Sequence, residues 1–201
     1  MTLAHLRRFA LCLACACAVL GALGLRVPSE ARASVVLALG LEDLTRKADV
    51  IALVVATEQQ SRMQPRSGLI VTDVSLRVEQ ALKGSKSGQT LVATLLGGKL
   101  DGVALQVPGE ASLPIGQRVL VFLQRSKANG ELRAVGMSQG VMTLSELGGA
   151  TMVMPGGSGA ALVQPGSDGA LRDAPAALMQ PQPLGALLDQ IRALVSAQAS
   201  P

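Results

Sequence analysis

Three charged side chains, Lys99, Asp101 and Glu110, share the stretch Gly97–Gly116, which glycine and proline punctuate throughout. Two carboxylates in one loop can divide acid and base roles when their surroundings drive their pKa values apart. Asp101 and Glu110 are therefore the pair on which a carboxylate-dependent hydrolase would rest. The same two residues also read as solvated loop charges or, together with Lys99, as the polar contacts of a binding surface. Glycines at 98, 102 and 109 permit unusual backbone angles, while Pro108 and Pro114 restrict them. A long loop carried by rigid structure is where function concentrates. The alternation of Val103, Leu105 and Val107 offers a second reading, one more strand flanked by two short turns.

Other chemistry is scarce. His5, Cys12, Cys15 and Cys17 are the only histidine and cysteines, and all fall in the first 33 residues. That segment reads as an export signal: Arg7 and Arg8, an apolar run Phe9–Leu25, then the small-x-small pattern Ala31-Arg32-Ala33. The run is also just long enough for a retained anchor. Cys15 and Cys17 lack the leucine three positions earlier that a lipoprotein signal carries. With cleavage after Ala33, no His- or Cys-based zinc site, catalytic triad or disulfide remains. No Ser-x-x-Lys occurs. Gly156–Ala160 misses the nucleophile-elbow pattern by one residue, and Gly97-Gly98-Lys99 is not a phosphate loop. We expect no metal and no cofactor.

The leader also holds four of the 18 basic and one of the 14 acidic residues, leaving 14 and 13 and a formal charge of +1. That balance, with Phe122 as the one aromatic residue outside the leader, argues against nucleic acid as a partner. Lys83, Lys86 and Lys99 could form a small basic patch or simply be solvated turn residues. The methionines at 137, 142, 152 and 154 suit either core filling or an adaptable surface.

The elements that would position the loop are mostly strands. Val119–Leu123 is apolar on both parities, as is Asp49–Thr57; both suit strands covered on two faces. Ile70–Leu82 alternates, with Ile70, Thr72, Val74, Leu76 and Val78 opposite Asp73, Ser75, Arg77 and Glu79. Thr90–Leu96 returns after the turn Lys83–Gly88, Glu131–Val135 returns after Asn129-Gly130, and Gly140–Leu144 with Ala150–Met154 suits a hairpin. Glu58–Gly68 reads as a loop. Ser34–Gly40 is either a short strand or simply the mature terminus. Leu41–Ala48 places Leu41, Leu44 and Ala48 on one helical face, with Glu42 and Asp43 where the helix dipole favours them. Pro155–Pro183 reads as a linker, and Leu184, Leu187, Leu188, Ile191, Leu194 and Val195 form the apolar face of a closing helix. That helix either docks on the body or is kept for a partner.

The expected class is mainly β: an antiparallel barrel or sandwich with a short N-terminal helix and a C-terminal amphipathic helix. The divisions are 1–33 signal, 34–154 body, 155–183 linker and 184–201 helix. Three stretches in order, Ala48-Asp49-Val50-Ile51, Val78–Gly84 and Gly116–Leu123, resemble the netrin-like domain shared by tissue inhibitors of metalloproteinases and by bacterial secreted proteins of that type. The resemblance spans residues 41–135 and implies an OB-like barrel and the habit of binding another protein. It does not bring the inhibitors' cysteine-dependent mechanism, since no cysteine follows the leader. The expected function is an exported, non-catalytic binding or accessory module. Its partner would be another exported protein, with no membrane contact once the signal is removed. A protease inhibitor and a carboxylate hydrolase are the alternatives.

Overall fold

The computed structural model describes residues 35–65, 67–157, 161–174 and 180–199, all within one compact unit, Ala33–Pro201. The leader expectation therefore lies outside the described residues. Thirteen strands and two helices follow in order: β1 (Val35–Leu37), α1 (Leu41–Lys47), β2 (Val50–Met63), β3 (Ile70–Lys83), β4 (Thr90–Leu96), β5 (Gly98–Leu100), β6 (Val103–Leu105), β7 (Arg118–Arg125), β8 (Leu132–Ala134), β9 (Val141–Leu147), β10 (Ala150–Met154), β11 (Ala161–Pro165), β12 (Leu171–Asp173), β13 (Gln182–Pro183) and α2 (Leu184–Ala199). A 3₁₀ turn, Met137–Gly140, separates β8 from β9.

Eight strands form one sheet in the order β13-β10-β9-β7-β2-β3-β4-β8, and β8 pairs back with β7. Strands β7, β2, β3, β4 and β8 therefore close into a five-membered ring. Its neighbours are antiparallel except at one seam, where β4 meets β8 in parallel through the single pairing Ala93↔Leu132.

The apolar runs with no alternation now have their reason. In β2, Val50, Ala52, Val54 and Ala56 fill the ring interior with Val74, Leu76, Val78, Val119, Val121 and Leu123. The opposite parity, Ile51 and Leu53 with Leu120 and Phe122, packs outward against Leu44 of α1 and Leu187, Leu188 and Ile191 of α2. Each central strand thus serves two cores, which requires apolar residues at consecutive positions. Small interior side chains, Ala52, Ala56, Ala93 and Ala134, alternate with larger ones, as the narrow space of a five-strand ring demands. Helix α1 carries Glu42 and Asp43 in its first turn and Arg46 and Lys47 in its last, matching its dipole at both ends.

Several expectations need correction. Residues 58–63, read as loop, continue β2 to Met63 because β3 supplies backbone partners along its whole length, from Ile51↔Lys83 to Met63↔Ile70. Register shifts near Ile51, Leu53 and Ala56 interrupt that pairing and break the side-chain alternation a sequence reader depends on. The stretch 155–183, read as a linker, contains β11 and β12. Ser34–Gly40 supplies β1, which pairs in parallel with β11 to form a separate three-stranded sheet. Strand β13 then adds to the edge of β10 immediately before α2. Helix α2 is docked on the body, with Leu187, Leu188 and Ile191 at most 6% exposed. Lys83 Nζ ties it further, donating to Thr45 O at 2.8 Å and Gln198 Oε1 at 3.1 Å.

Candidate functional site

The stretch after β4 leaves the ring through two glycines that no other residue could replace without movement. Gly97 has φ 90° and Gly98 φ 138°. A Cβ on Gly97 would lie 2.5 Å from Leu105 O, and one on Gly98 would lie 2.2 Å from Thr72 Oγ1 and 2.5 Å from Ser61 Oγ. This close approach lays β5 against β2 and β3. Thr72 Oγ1 donates to Gly97 O at 2.8 Å, and Ser61 Oγ stands 3.0 Å from Thr72 Oγ1, so two strand hydroxyls pin the departure point. Asp101 and Gly102 then reverse the chain with φ 48° and 80°. Two consecutive positive φ angles make the tight hairpin turn whose twist suits the flanking strands. Strand β6 pairs only with β5, so the alternation at Val103 and Leu105 does mark a strand, but one outside the ring. Val107 lies beyond it.

The return segment, residues 106–113, faces this hairpin across a cleft of about 390 Å³ lined by Gln59, Thr72, Gly97, Gly98, Pro108 and Glu110, among others. Lys99 and Asp101 are exposed on the hairpin, and neither enters an ion pair among the described residues. Glu110 differs. Its Oε2 accepts the Leu96 N–H at 3.0 Å and its Oε1 the Ala111 N–H at 2.9 Å, so both oxygens brace the return segment against the end of β4. Gln59 Nε2 holds Leu113 O at 2.5 Å, while Ala111 and Leu113 plug the ring interior. The structure thus places Glu110 in the cleft wall, where it has an internal task, and leaves Lys99 and Asp101 exposed on the hairpin, outside the cleft lining. Asp101 sits on an exposed turn, outside the cleft that Glu110 lines.

A second polar constellation was not visible beforehand. On the outer face of the ring, Arg62 of β2 donates Nε to Asp73 Oδ2 at 2.6 Å and Nη2 to Glu131 Oε1 at 2.9 Å. Arg133 Nη2 reaches Glu131 Oε2 at 2.8 Å, Gln64 Nε2 reaches the same oxygen at 3.0 Å, and Thr94 Oγ1 donates to Asp73 Oδ1 at 2.8 Å. Partial burial works against the charge on Glu131. Hydrogen bonds from Arg133, Arg62, Asn129 and Gln64 outweigh it and hold the carboxyl down at about 2. The Arg62 guanidinium is held further toward its charged form, first by Asp73 and then by Glu131. With two cations and two anions paired with one another, and Arg133 Nε the one buried nitrogen of the cluster left without a partner among the described residues, the cluster spans the seam where β4 and β8 share one pairing. Its chemistry is that of a clasp.

Gln59 and Ser61, in a stretch read as loop, and Thr72, read only as one residue of an alternating strand, were not singled out as site residues by the sequence reading. The Asp101-Gly102 dipeptide was the signal that could have revealed the hairpin. Among the described residues no group of His, Cys, Asp and Glu is arranged to hold a metal ion, and no helix is long and apolar enough to cross a membrane. No protein-family model matches the chain, and no curated protein sequence matches it either.

Proposed function

We propose that the chain is an exported, non-catalytic protein-binding or accessory module of OB-like, netrin-like barrel type, which engages its partner through the β5–β6 hairpin and the cleft beside it. The observation carrying this reading is the division of labour among polar groups. The ring interior is filled by apolar side chains, the charged cluster is internally paired, and Glu110 braces backbone, whereas Lys99 and Asp101 project on a hairpin that two obligatory glycines hold in place. Rigid presentation of exposed side chains lowers the ordering cost of recognition. Val103, 61% exposed on the same hairpin, adds an apolar contact.

The three stretches that carry the resemblance to netrin-like domains meet in space. Asp49 N–H donates to Leu123 O at 2.8 Å, Asp49 Oδ2 accepts the Arg125 N–H at 2.6 Å, and Gly84 lies so close to Asp49 O that a Cβ there would be 1.9 Å away. These contacts join the beginning of β2, the end of β3 and the end of β7 at one corner.

The test is capture from exported proteins of the native source, followed by binding of the purified partner to wild type, to a Lys99→Ala/Asp101→Ala variant and to Glu110→Gln. The hairpin variant should lose at least about tenfold in affinity, the scale of one or two contact residues that matter. Equal binding by wild type and the hairpin variant would move the binding surface elsewhere. Turnover in a glycan and ester panel that vanishes in Asp101→Asn would replace this reading with the hydrolase. Stoichiometric inhibition of a secreted protease would replace it with the inhibitor.

A further inference from the structure

The turn between β8 and β9 has a contact on each side that the proposed binding surface does not explain. Gly136 and Met137 take consecutive left-handed conformations, φ 63° and 61°, and for methionine this is a strained choice that only surrounding structure maintains. The turn projects Gln139, 7% exposed, against the N-terminal segment. Gln139 Oε1 accepts the Leu39 N–H at 2.9 Å while its Nε2 donates to Leu37 O at 3.0 Å and to Gly136 O at 3.2 Å. The side-chain amide thus takes the place of a neighbouring strand along the edge of β1 that β11 leaves open. Leu39 sits directly over Gly136, where a Cβ would come within 2.7 Å of its Cδ1. One residue along, Ser138 N–H donates to Gly109 O at 3.1 Å, in the return segment that walls the cleft.

We propose that this turn is a two-sided clasp through which the N-terminal strand β1 controls the order of the cleft wall at residues 107–112. With β1 seated, Gln139 is held by two backbone groups and the strained turn keeps Ser138 aimed at Gly109. With β1 released, the amide loses those partners, the turn relaxes toward commoner angles, and the Ser138–Gly109 bond weakens. A ligand that pulled on the N-terminal strand would therefore loosen the cleft, and occupation of the cleft would tighten the strand, because coupling between two sites is reciprocal. The consequence for partner binding rests on the cleft being the partner site; the coupling itself does not.

Hydrogen–deuterium exchange of the purified chain tests the coupling without any partner. Gln139→Ala removes the clasp, and Ala38→Pro removes the N–H that Ala38 donates to Val163 O at 2.8 Å, leaving the turn itself unaltered. In both variants, exchange at the amides that remain in residues 35–39, at Ser138, and at Glu110 and Ala111 of the cleft wall should rise about fivefold, the effect of losing one hydrogen bond. Amides in the centres of β3 and β7 should keep their wild-type rates. Three results overturn the proposal: faster exchange at 35–39 with the cleft wall unchanged, unchanged exchange at 35–39 in Gln139→Ala, or an equal rise throughout β3 and β7. In the partner-binding assay, loss of affinity in Gln139→Ala with unchanged hairpin exchange would support coupling to the site. Failure of the Lys99/Asp101 variant to affect binding would displace the site while leaving the exchange result intact.

Discussion

Replacing Glu131 by glutamine tests whether the charged cluster is a clasp across the weakest seam of the ring. Glutamine preserves shape and one acceptor oxygen but removes the charge that Arg62 and Arg133 meet at 2.9 and 2.8 Å. The carboxyl lies at about 2 in the folded chain against an ordinary 4.5. A shift of that size corresponds to about 3 kcal/mol by linkage, which solvent screening at a site open along one side reduces to about 2 kcal/mol. Because the folded value is lowered, the contribution is complete above the unfolded value of 4.5 and disappears as pH falls from there toward 2. Urea unfolding at pH 7 should therefore show Glu131→Gln less stable than wild type by about 2 kcal/mol, with the gap under about 1 kcal/mol at pH 3. The slope of free energy against urea should be unchanged. A variant within about 0.5 kcal/mol of wild type at pH 7, the range of an ordinary surface substitution, would refute the reasoning. So would a gap that does not narrow on acidification, since the charge would then not be its source.

Two further perturbations probe the parts that position the cleft. Gly98→Ala forces a methyl against the Thr72 and Ser61 hydroxyls at a φ of 138°, and should cost at least about 1–3 kcal/mol in thermal or urea unfolding; a neutral result would mean the hairpin departs freely from β4. Ile191→Ala empties a position of α2 with no solvent exposure and should cost about 2–5 kcal/mol; no change in melting temperature would mean that α2 is not part of the second core.

Much of the architecture follows from local pattern. Leu41–Lys47 had helical spacing with charges suited to its dipole, Thr90–Leu96 had strand composition between turn residues, and the doubled apolar parity of Val50–Ala56 and Val119–Leu123 required cover on two faces. These features depend on side chains a few residues apart, so a linear reading reaches them. The apolar stripe of α2 likewise announced a buried face but not what it would bury against.

What the linear reading lacked were the properties that distant segments create together. Residues 58–63 carry no apolar alternation, and they are strand only because β3 lies beside them. Strand β11 sits in a Gly- and Pro-rich stretch and exists because β1, from the far end of the chain, pairs with it. Arg62, Asp73, Glu131 and Arg133 look like four ordinary surface charges until ring closure places them within hydrogen-bonding distance. Glu110 could be named from the sequence as a charge in the long loop, yet whether its carboxylate faced a partner or the backbone depended on where Leu96 ended β4. Composition and periodicity determined the strands and helices that carry their own apolar pattern and how many faces each of those must bury. Tertiary structure alone decided which polar groups pair with one another and which are left facing solvent, because pairing is a matter of ångströms between atoms that the chain order does not bring near.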